Sequence, residues 1–266
     1  MPAAGRRPSV PSDIEALGPS EVLELALRAL GPDRLALASS FGPEDMVLTD
    51  LLCRLEASPR IFTLDTGRLP QETYDLMDAT RRRYGLRIEV MFPDAFSVED
   101  LVRGRGLNLM YESVENRRDC CRIRKVEPLT RALSTVDGWI TGLRRDQITT
   151  RSDTAKIALD ERHDGIWKVA PLADWTRDEV WGYIREHDLP YNALHDKGYA
   201  SIGCDPCSRA IQPDEDERAG RWWWEEPATR ECGLHFDPQN GRLIPPRPRI
   251  VPPEPDAGVG REAAAF

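Results

Sequence analysis

The amino-acid sequence predicts an α/β fold, a Rossmann-like parallel sheet of about five strands with helices on both faces. Short apolar runs that end in polar or turn residues alternate along the chain with stretches of helical spacing. Strands that alternate with helices form βαβ units around a parallel sheet. The predicted strands cover residues 34–40, 60–65, 86–92, 139–144 and 167–172.

The stretches between these strands predict helices. PEDMVLTDLLCRL follows the first strand and PQETYDLMDATRRRYG follows the second. After the fifth strand an amphipathic helix is predicted over residues 176–188, with Thr176 as its N-cap and Glu179 three residues further on, the spacing of a capping box. Residues 1–12 are expected to form a disordered arm, and residues 238–266 a proline-rich tail.

Charge and hydropathy exclude some classes of function. A net charge of −9 argues against general nucleic-acid binding, which needs a basic surface. No apolar run approaches the ~20 residues of a membrane span, and the first residues lack the apolar core of a secretory signal. We therefore expect a cytoplasmic protein with no membrane partner, whose six cysteines are reduced and act as ligands or catalysts.

Polar residues follow the predicted strands where a parallel sheet binds its ligands. Ser39 to Asp45, in SSFGPED, come directly after the first strand and open a helix, so their backbone N–H groups and hydroxyls could hold an anion. The lysine and the glycine spacing of nucleotide-binding fingerprints are missing. An ordinary turn with a serine cap explains the stretch equally well.

Two pairs of cysteines indicate a metal cluster. Cys120 and Cys121 are adjacent within a run of arginines, and Cys204 and Cys207 are separated by two residues in CDPC. Structural zinc sites favour ligands spaced two to four residues apart, so an adjacent pair fits zinc poorly. Adjacent thiolates can reach different irons of a cubane, so we favour a [4Fe–4S] cluster over zinc. The neighbouring arginines would suit such an anionic group.

A further cysteine lies in a basic environment near the end of the chain. Cys232 and His235 occur in ECGLH, with Arg218, Arg221 and Arg230 close in sequence. These cations could lower the pKa of the Cys232 thiol below its free value of about 8.5, although a plain surface cysteine is the alternative. Cys53 is expected to be a buried helix residue without a role, and His163, His187 and His195 show no metal spacing.

Six motifs in one order resemble a known family. SSFGPED, LDTGRL, CCRIRKVEPL, TGLRRDQ, GCDPC and GRWWWEEPATRECGLH together resemble the assimilatory adenylyl-sulfate (APS) reductases, relatives of the phosphoadenylyl-sulfate (PAPS) reductases. The resemblance runs from about residue 35 to residue 235. It implies an adenine-nucleotide alpha-hydrolase-like fold with a mobile C-terminal segment, and the CC…CxxC set is similar to the branch that binds a [4Fe–4S] cluster.

The resemblance also implies a reaction and its residues. Cys232 would attack the sulfur of APS and expel AMP, and thioredoxin would reduce the resulting Cys S-sulfonate and release sulfite. The cluster ligands would be Cys120, Cys121, Cys204 and Cys207. The substrate-binding residues would be Ser39, Ser40, Asp45, Leu64, Thr66, Lys125, Arg144, Arg145, Arg218, Arg221 and His235.

The implied organisation divides the chain into four parts. Residues 13–215 would form the nucleotide-binding reductase domain with the iron–sulfur site, and residues 216–237 the C-terminal catalytic segment, between the arm and the tail. A PAPS or dual APS/PAPS reductase is the alternative on the same fold. A related ligase or tRNA thiolase lacks support because the SGGxDS-like motif is missing, and a zinc-stapled binding module is the non-enzymatic rival. A homo-oligomer is possible in each case.

Overall fold

The computed structural model describes residues 13–147 and 151–226, which contain one six-stranded sheet. Its strand order is β3-β2-β1-β4-β6-β5. The strands are β1 (Leu35–Ala38), β2 (Arg60–Leu64), β3 (Ile88–Met91), β4 (Gly138–Ile140), β5 (Ile157–Asp160) and β6 (Ile166–Val169). All neighbours pair in parallel except β5 and β6, which are antiparallel.

Helices precede, connect or follow the parallel strands. They are α1 (Pro19–Leu30), α2 (Pro43–Leu55), α3 (Gln71–Tyr84), α4 (Ala95–Arg105), α5 (Val114–Cys121), α6 (Glu127–Leu133) and α7 (Arg177–Glu186). A π-helical turn, Arg122–Val126, joins α5 to α6 without a break. Among the described residues, no helix has the length and apolar character needed to cross a membrane.

The five predicted strands are confirmed as β1, β2, β3, β4 and β6, each shorter than predicted or shifted by a residue or two. Strand β5 was not predicted. Its two middle residues, Ala158 and Leu159, are both exposed, so the strand lacks the continuous apolar run of its buried parallel neighbours. It adds an antiparallel edge to an otherwise parallel sheet.

Helices cover both faces of the sheet, as predicted. Leu35 and Leu37 of β1 point to one face and join a buried cluster with residues of α1, α2 and α7. Ala36 points to the other face and packs with Trp139 and with residues of α6. This alternation follows from the two-residue repeat of a strand. Complete burial of a side chain such as Leu37 contributes roughly 1.5–3 kcal/mol.

The strand order places a binding crevice at the centre of the sheet. Strand β1 pairs with β2 on one side and with β4 on the other. The chain therefore leaves β1 in one direction and later returns to its other side, which is the topological switch point where ligands bind beyond the carboxyl ends of the strands. The loops after β1, β2 and β4 meet there.

The capping box predicted for α7 is confirmed. Thr176 Oγ1 accepts a hydrogen bond from the Glu179 backbone N–H at 3.3 Å, and the Thr176 N–H donates to Glu179 Oε2 at 2.7 Å. We expect Thr176→Ala to lower the free energy of unfolding by about 1 kcal/mol, because one N–H of the first turn loses its acceptor. Thr176→Ser, which keeps the hydroxyl, is the control in urea unfolding. Equal stability of the Ala variant and the wild type would contradict this assignment.

Candidate active site

A cavity of about 230 Å³ opens at the switch point. The loops after β1, β2 and β4 contribute to its wall, and two later segments, residues 200–203 and residues 217–222, complete it. Of the residues predicted to bind substrate, the structure places Ser39, Ser40, Asp45, Leu64, Thr66, Lys125, Arg218 and Arg221 at this cavity.

The loop after β1 is shaped by its own side chains. Asp45 Oδ2 accepts hydrogen bonds from the Ser40 N–H at 2.6 Å and from Ser40 Oγ at 2.8 Å, and Ser39 Oγ accepts from the Phe41 N–H. Phe41 takes a φ of 60°, a conformation that non-glycine residues adopt only under such constraint. Burial raises the pKa of Asp45 to about 6, although the Ser40 hydrogen bonds oppose the shift.

No serine caps α2. Its N-cap is Gly42, which has no side-chain hydrogen bond to the helix. The serine-cap explanation of SSFGPED is therefore wrong. The loop after β4 comes close to the same helix end, because a Cβ on Gly142 would lie 2.7 Å from Asp45 Oδ1. Only glycine allows this approach, and it closes the cavity on that side.

The loop after β2 connects the cavity to the cysteines. Leu64 and Thr66 line the cavity, and Thr66 Oγ1 lies 3.2 Å from Cys204 Sγ. The Thr66 carbonyl accepts a hydrogen bond from Arg124 Nη1 at 2.6 Å. Thr66 thus lines the first cavity and also contacts Cys204 and Arg124 of the cysteine region.

The four cysteines of the two pairs surround a second, smaller cavity. Cys120 and Cys121 form the last turn of α5, while Cys204 and Cys207 bound a short 3₁₀ helix, and all four are buried. Successive residues of a helix diverge by about 100°. Accordingly, Cys120 packs with Leu109 and Ile123, whereas Cys121 packs with the other cysteine pair and Trp222.

The thiols differ in their ionisation. Burial alone would raise the pKa of Cys204, but Lys125, the Thr66 hydroxyl and nearby arginines lower it below its ordinary value. Burial raises the pKa of Cys207 to about 11, with a further contribution from the charge of Cys204, and burial also raises the pKa of Cys120. The group therefore contains one thiol whose pKa is lowered by its neighbours, beside two whose pKa is raised by burial.

The residues around the second cavity fit an anionic iron–sulfur group. Within residues 13–147 and 151–226, no three His, Cys, Asp or Glu side chains are arranged to hold a metal ion. Two buried donors that line this cavity, Trp222 Nε1 and Arg124 Nε, have no hydrogen-bond partner among the described residues. Buried donors are rarely left unpaired, and sulfide or thiolate sulfur would accept from both. Four buried thiols line one space, with cations and unpaired donors beside them, and these are the residue types that hold an iron–sulfur cluster.

Lys125 lines both cavities and lies in the π-helical turn that follows the cysteine pair. Trp222 also lines both, with the guanidinium groups of Arg117 and Arg221 each 4.8 Å from the centre of its ring. Gly203 admits this arrangement, because a Cβ there would lie 2.2 Å from Arg221 Nη2. The side chains of Lys125, Arg117, Arg221 and Trp222 thus lie between the two cavities. We call these four residues the partition.

The partition is anchored by a buried ion pair. Arg117 donates through Nε and Nη2 to the two oxygens of Glu225 at 2.8 and 2.7 Å, and both side chains are buried. Arg117 belongs to α5 and Glu225 follows the tryptophans, 108 residues later. This two-point contact holds the segment of Trp222 against the helix that carries Cys120 and Cys121.

Two predicted substrate ligands lie elsewhere. Arg144 and Arg145 are not among the residues that line the cavity. Arg144 is fully buried in ion pairs with Glu44, Asp146 and Glu217, and Arg145 contacts Glu15 and the Thr154 carbonyl. Direct contact with a phosphosulfate is therefore not supported for either, because neither side chain lines the cavity: Arg144 Nε and Nη1 are paired with Glu44 and Asp146, and Arg145 with Glu15 and the Thr154 carbonyl. Cys232 and His235 lie outside the described residues.

Sequence reasoning missed several residues of the cavity wall. Glu44, Gln147, Arg151, His195 and Glu217 all line it. Glu44 stands inside the quoted motif SSFGPED and Gln147 ends TGLRRDQ, so both could have been found from the motifs. His195 and Glu217 carry no local signal, since only the folding of distant loops brings them to the sheet edge.

Comparisons with known proteins define the class. The family model described as "Phosphoadenosine phosphosulfate reductase domain" matches residues 34–210. A solved structure of a phosphoadenylyl-sulfate (PAPS) reductase from Candida auris in a phosphate complex is similar, with a TM-score of 0.64 and 27% identity over 77% of this chain and 99% of that one. An FMN adenylyltransferase from Candida glabrata, at 14% identity and a TM-score of 0.52, shares the fold. The chain belongs to the phosphoadenosine phosphosulfate reductase domain family.

Within that family, the chain groups with the adenosine 5′-phosphosulfate reductases. The protein of that name from Allochromatium vinosum is 48% identical over 86% of this chain and 90% of its own length. The one from Burkholderia cepacia is 50% identical over 81% of this chain and 87% of its own length. The resemblance to APS reductases inferred from the six motifs is thereby confirmed.

We expect Glu225→Gln to destabilise the protein by about 3–5 kcal/mol, because Arg117 would keep a buried charge without its counter-ion. Glu72→Gln, which removes an exposed partner of Lys197, should cost at most about 1 kcal/mol and is the matched control. Denaturant unfolding followed by tryptophan fluorescence measures both. Equal losses in the two variants would show that the buried pair does not hold the partition.

Proposed function

We propose that this protein reduces adenosine 5′-phosphosulfate (APS) to sulfite and AMP, with thioredoxin as the reductant. The observation that carries the proposal is the shared wall between the two cavities, where Lys125 and Trp222 line both the sheet-edge cavity and the four-cysteine cavity. A reductase of this family needs a nucleotide site beside a place where negative charge is neutralised. This geometry supplies both.

The nucleotide part of the substrate belongs at the switch point. Ser39, Ser40, Leu64 and Thr66 bring hydroxyls and backbone groups of two loops to the cavity. Asp45 acts through Ser40, since its carboxylate accepts from both the Ser40 N–H and the Ser40 hydroxyl. A nucleotide bound at these loops would direct its phosphosulfate toward the partition.

The phosphosulfate needs cations before a thiolate can approach it. Lys125, Arg218 and Arg221 line the cavity, and Lys125 and Arg221 belong to the partition. Planar guanidinium groups bind tetrahedral oxyanions at two points, whereas an ammonium acts as a compact charge. Arg144 serves this site indirectly by holding Glu44 and Glu217, and we assign it a positioning role.

The chemical step uses the thiolate of Cys232. Its lone pair attacks the sulfur of the sulfate group and forms an S–S bond, while the S–O bond to the phosphate breaks and AMP leaves with that electron pair. A thiolate of reduced thioredoxin then attacks Cys232 Sγ, and sulfite leaves. The second thioredoxin thiol resolves the mixed disulfide and regenerates the Cys232 thiolate. In this proposal residues 216–237 form the catalytic segment, and His235 joins the cations around the sulfate.

A [4Fe–4S] cluster would be held by Cys120, Cys121, Cys204 and Cys207. Two observations support this assignment: the four thiols are buried, and the Trp222 Nε1 and Arg124 Nε donors have no hydrogen-bond partner among the described residues. When bound, the cluster supplies a compact anion of polarisable sulfur next to Lys125. The protein's own contribution is to bury the thiols and to hold Lys125 at the border of the two cavities. A cytoplasmic location is part of the proposal, because reducing conditions keep the thiols available.

Comparison of the two sulfonucleotides tests the function. With reduced thioredoxin, we expect release of sulfite from APS with a kcat/KM at least about tenfold above that for PAPS. The alternative, a PAPS or dual-substrate reductase, predicts equal or reversed values. Thioredoxin with its active-site cysteines substituted is the control for the reductant. Absence of sulfite from either substrate would overturn the proposed function.

Substitution of cysteines separates catalysis from cluster binding. Cys232→Ser should abolish release of sulfite and keep the iron and sulfide content of the wild type, because this residue is the nucleophile and not a ligand. Cys204→Ser should lose iron, because one of the four ligands is removed. Cys53→Ala, in α2 and away from both cavities, should leave iron and activity unchanged. Normal turnover by Cys232→Ser would contradict the mechanism, and normal iron in Cys204→Ser the assignment of ligands.

A further inference from the structure

One side of the nucleotide cavity is formed by hydrogen-bond acceptors. Glu44, His195 and Glu217 all line the cavity, and the charge of Glu44 acts on both Glu217 and His195, so the three lie in one neighbourhood. We call these three residues the acceptor wall. None of them belongs to the partition that carries Lys125 and Arg221.

Arg144, the cation next to the acceptor wall, is already paired with carboxylates. Arg144 Nε donates to Glu44 Oε1 at 2.8 Å, Nη1 contacts Asp146, and Nη2 lies 3.6 Å from Glu217 Oε2. Three carboxylates thus share one fully buried guanidinium. Glu44 and Glu217 line the cavity, whereas Arg144 and Asp146 do not, so a ligand meets those two carboxylates and not the guanidinium.

Two other arginines, Arg151 and Arg177, lie near the acceptor wall. Gln147 lies between Arg151 and Glu44. Its Oε1 accepts a hydrogen bond from Arg151 Nη1 at 2.5 Å, and its Nε2 donates one to Glu44 Oε1 at 3.0 Å. Arg177 acts electrostatically on Glu217 and His195 but is not among the residues that line the cavity. Arg151 also lines the cavity, but its Nη1 is directed to Gln147, so Glu44, His195 and Glu217 keep their acceptor atoms beside the cavity.

His195 contributes a neutral acceptor to the wall. Its Nδ1 lies 2.7 Å from the Tyr199 carbonyl, which can only accept, so Nδ1 carries the proton and Nε2 has the lone pair. Nε2 is buried without a hydrogen-bond partner in the described part of the chain. The edge of Trp181 packs against the ring at 5.2 Å. Burial lowers the pKa of His195, which favours this neutral form.

We propose that the acceptor wall recognises a hydroxyl donor on the ribose of the nucleotide and disfavours a nucleotide in which that hydroxyl carries a phosphate. A hydroxyl can donate to a carboxylate or to Nε2, whereas a phosphate in the same place brings its charge against Glu44 and Glu217 and offers no donor. Glu217 and His195 are then the residues that favour APS over PAPS. This inference rests on the proposed function, since it assigns the sugar contacts within that substrate cavity.

Binding of nucleotides without turnover tests the inference directly. Dissociation constants of AMP, 3′-deoxyadenosine 5′-monophosphate and adenosine 3′,5′-bisphosphate are measured by calorimetry on the wild-type holoprotein. We expect AMP to bind more tightly than both others, because one lacks the donor and the other carries the extra phosphate. Equal binding of all three would overturn the inference.

Variants of Glu217 then identify the cause. Glu217→Gln keeps the shape and removes the charge, so it should reduce the preference for AMP over the bisphosphate about tenfold, which corresponds to about 1.4 kcal/mol. Glu217→Asp keeps the charge and should retain the preference. Glu215→Gln, on the same loop but paired with Arg209 and away from the cavity, is the matched control and should behave as the wild type.

Kinetics with the two sulfonucleotides distinguish failure of this inference from failure of the function. If the wild type releases sulfite from APS and Glu217→Gln leaves the APS/PAPS ratio of kcat/KM unchanged, the inference is wrong and the proposed function stands. If the wild type reduces neither substrate, the proposed function is wrong. His195→Gln, which places an amide near the position of Nε2, should keep more affinity for AMP than His195→Ala, and equal losses would contradict the acceptor role.

Discussion

The buried ion pair between Arg117 and Glu225 ties helix α5 to the segment of Trp222, and both cavities depend on this contact. Two charges removed from water are stabilising only when their geometry is good and their remaining donors are satisfied. Here the guanidinium meets the carboxylate at two points and also packs on the Trp222 ring. The segment after residue 217 is thereby held over the ends of the sheet, where it supplies Arg221 to one cavity and Trp222 to both.

A protein with a net charge of −9 concentrates its cations where two anions would be bound. Lys125, Arg124 and Arg221 contribute to lowering the pKa of Cys204, and Lys125 also lines the nucleotide cavity. The continuous helix from α5 through the π-helical turn to α6 carries the cysteine pair and Lys125 on one rigid element. A change in the charge around the cysteines would therefore act on the substrate cavity through Lys125 itself.

Much of the fold could be predicted, because its signals are local. Alternation of apolar runs with helical spacing identified five of the six strands, and Thr176 with Glu179 identified the start of α7. Strand β5 escaped because an edge strand needs no continuous apolar run. For the cavity, Ser39, Thr66 and Lys125 lie in quoted motifs and line it, while their role in substrate binding stays a prediction. Arg144 and Arg145 lie in such a motif too, yet ion pairs with Glu44 and Glu15 direct their side chains elsewhere.

The sequence by itself determined the α/β class, the pairing of CC with CxxC and the family, since these depend on periodicity, spacing and the order of motifs. Only the tertiary structure decided which cations face a ligand. An arginine side chain is long, and its partners here come from far along the chain, 100 residues for Arg144 with Glu44 and 108 for Arg117 with Glu225. Whether a guanidinium binds substrate or a carboxylate is settled by such remote contacts, and local sequence carries no record of them.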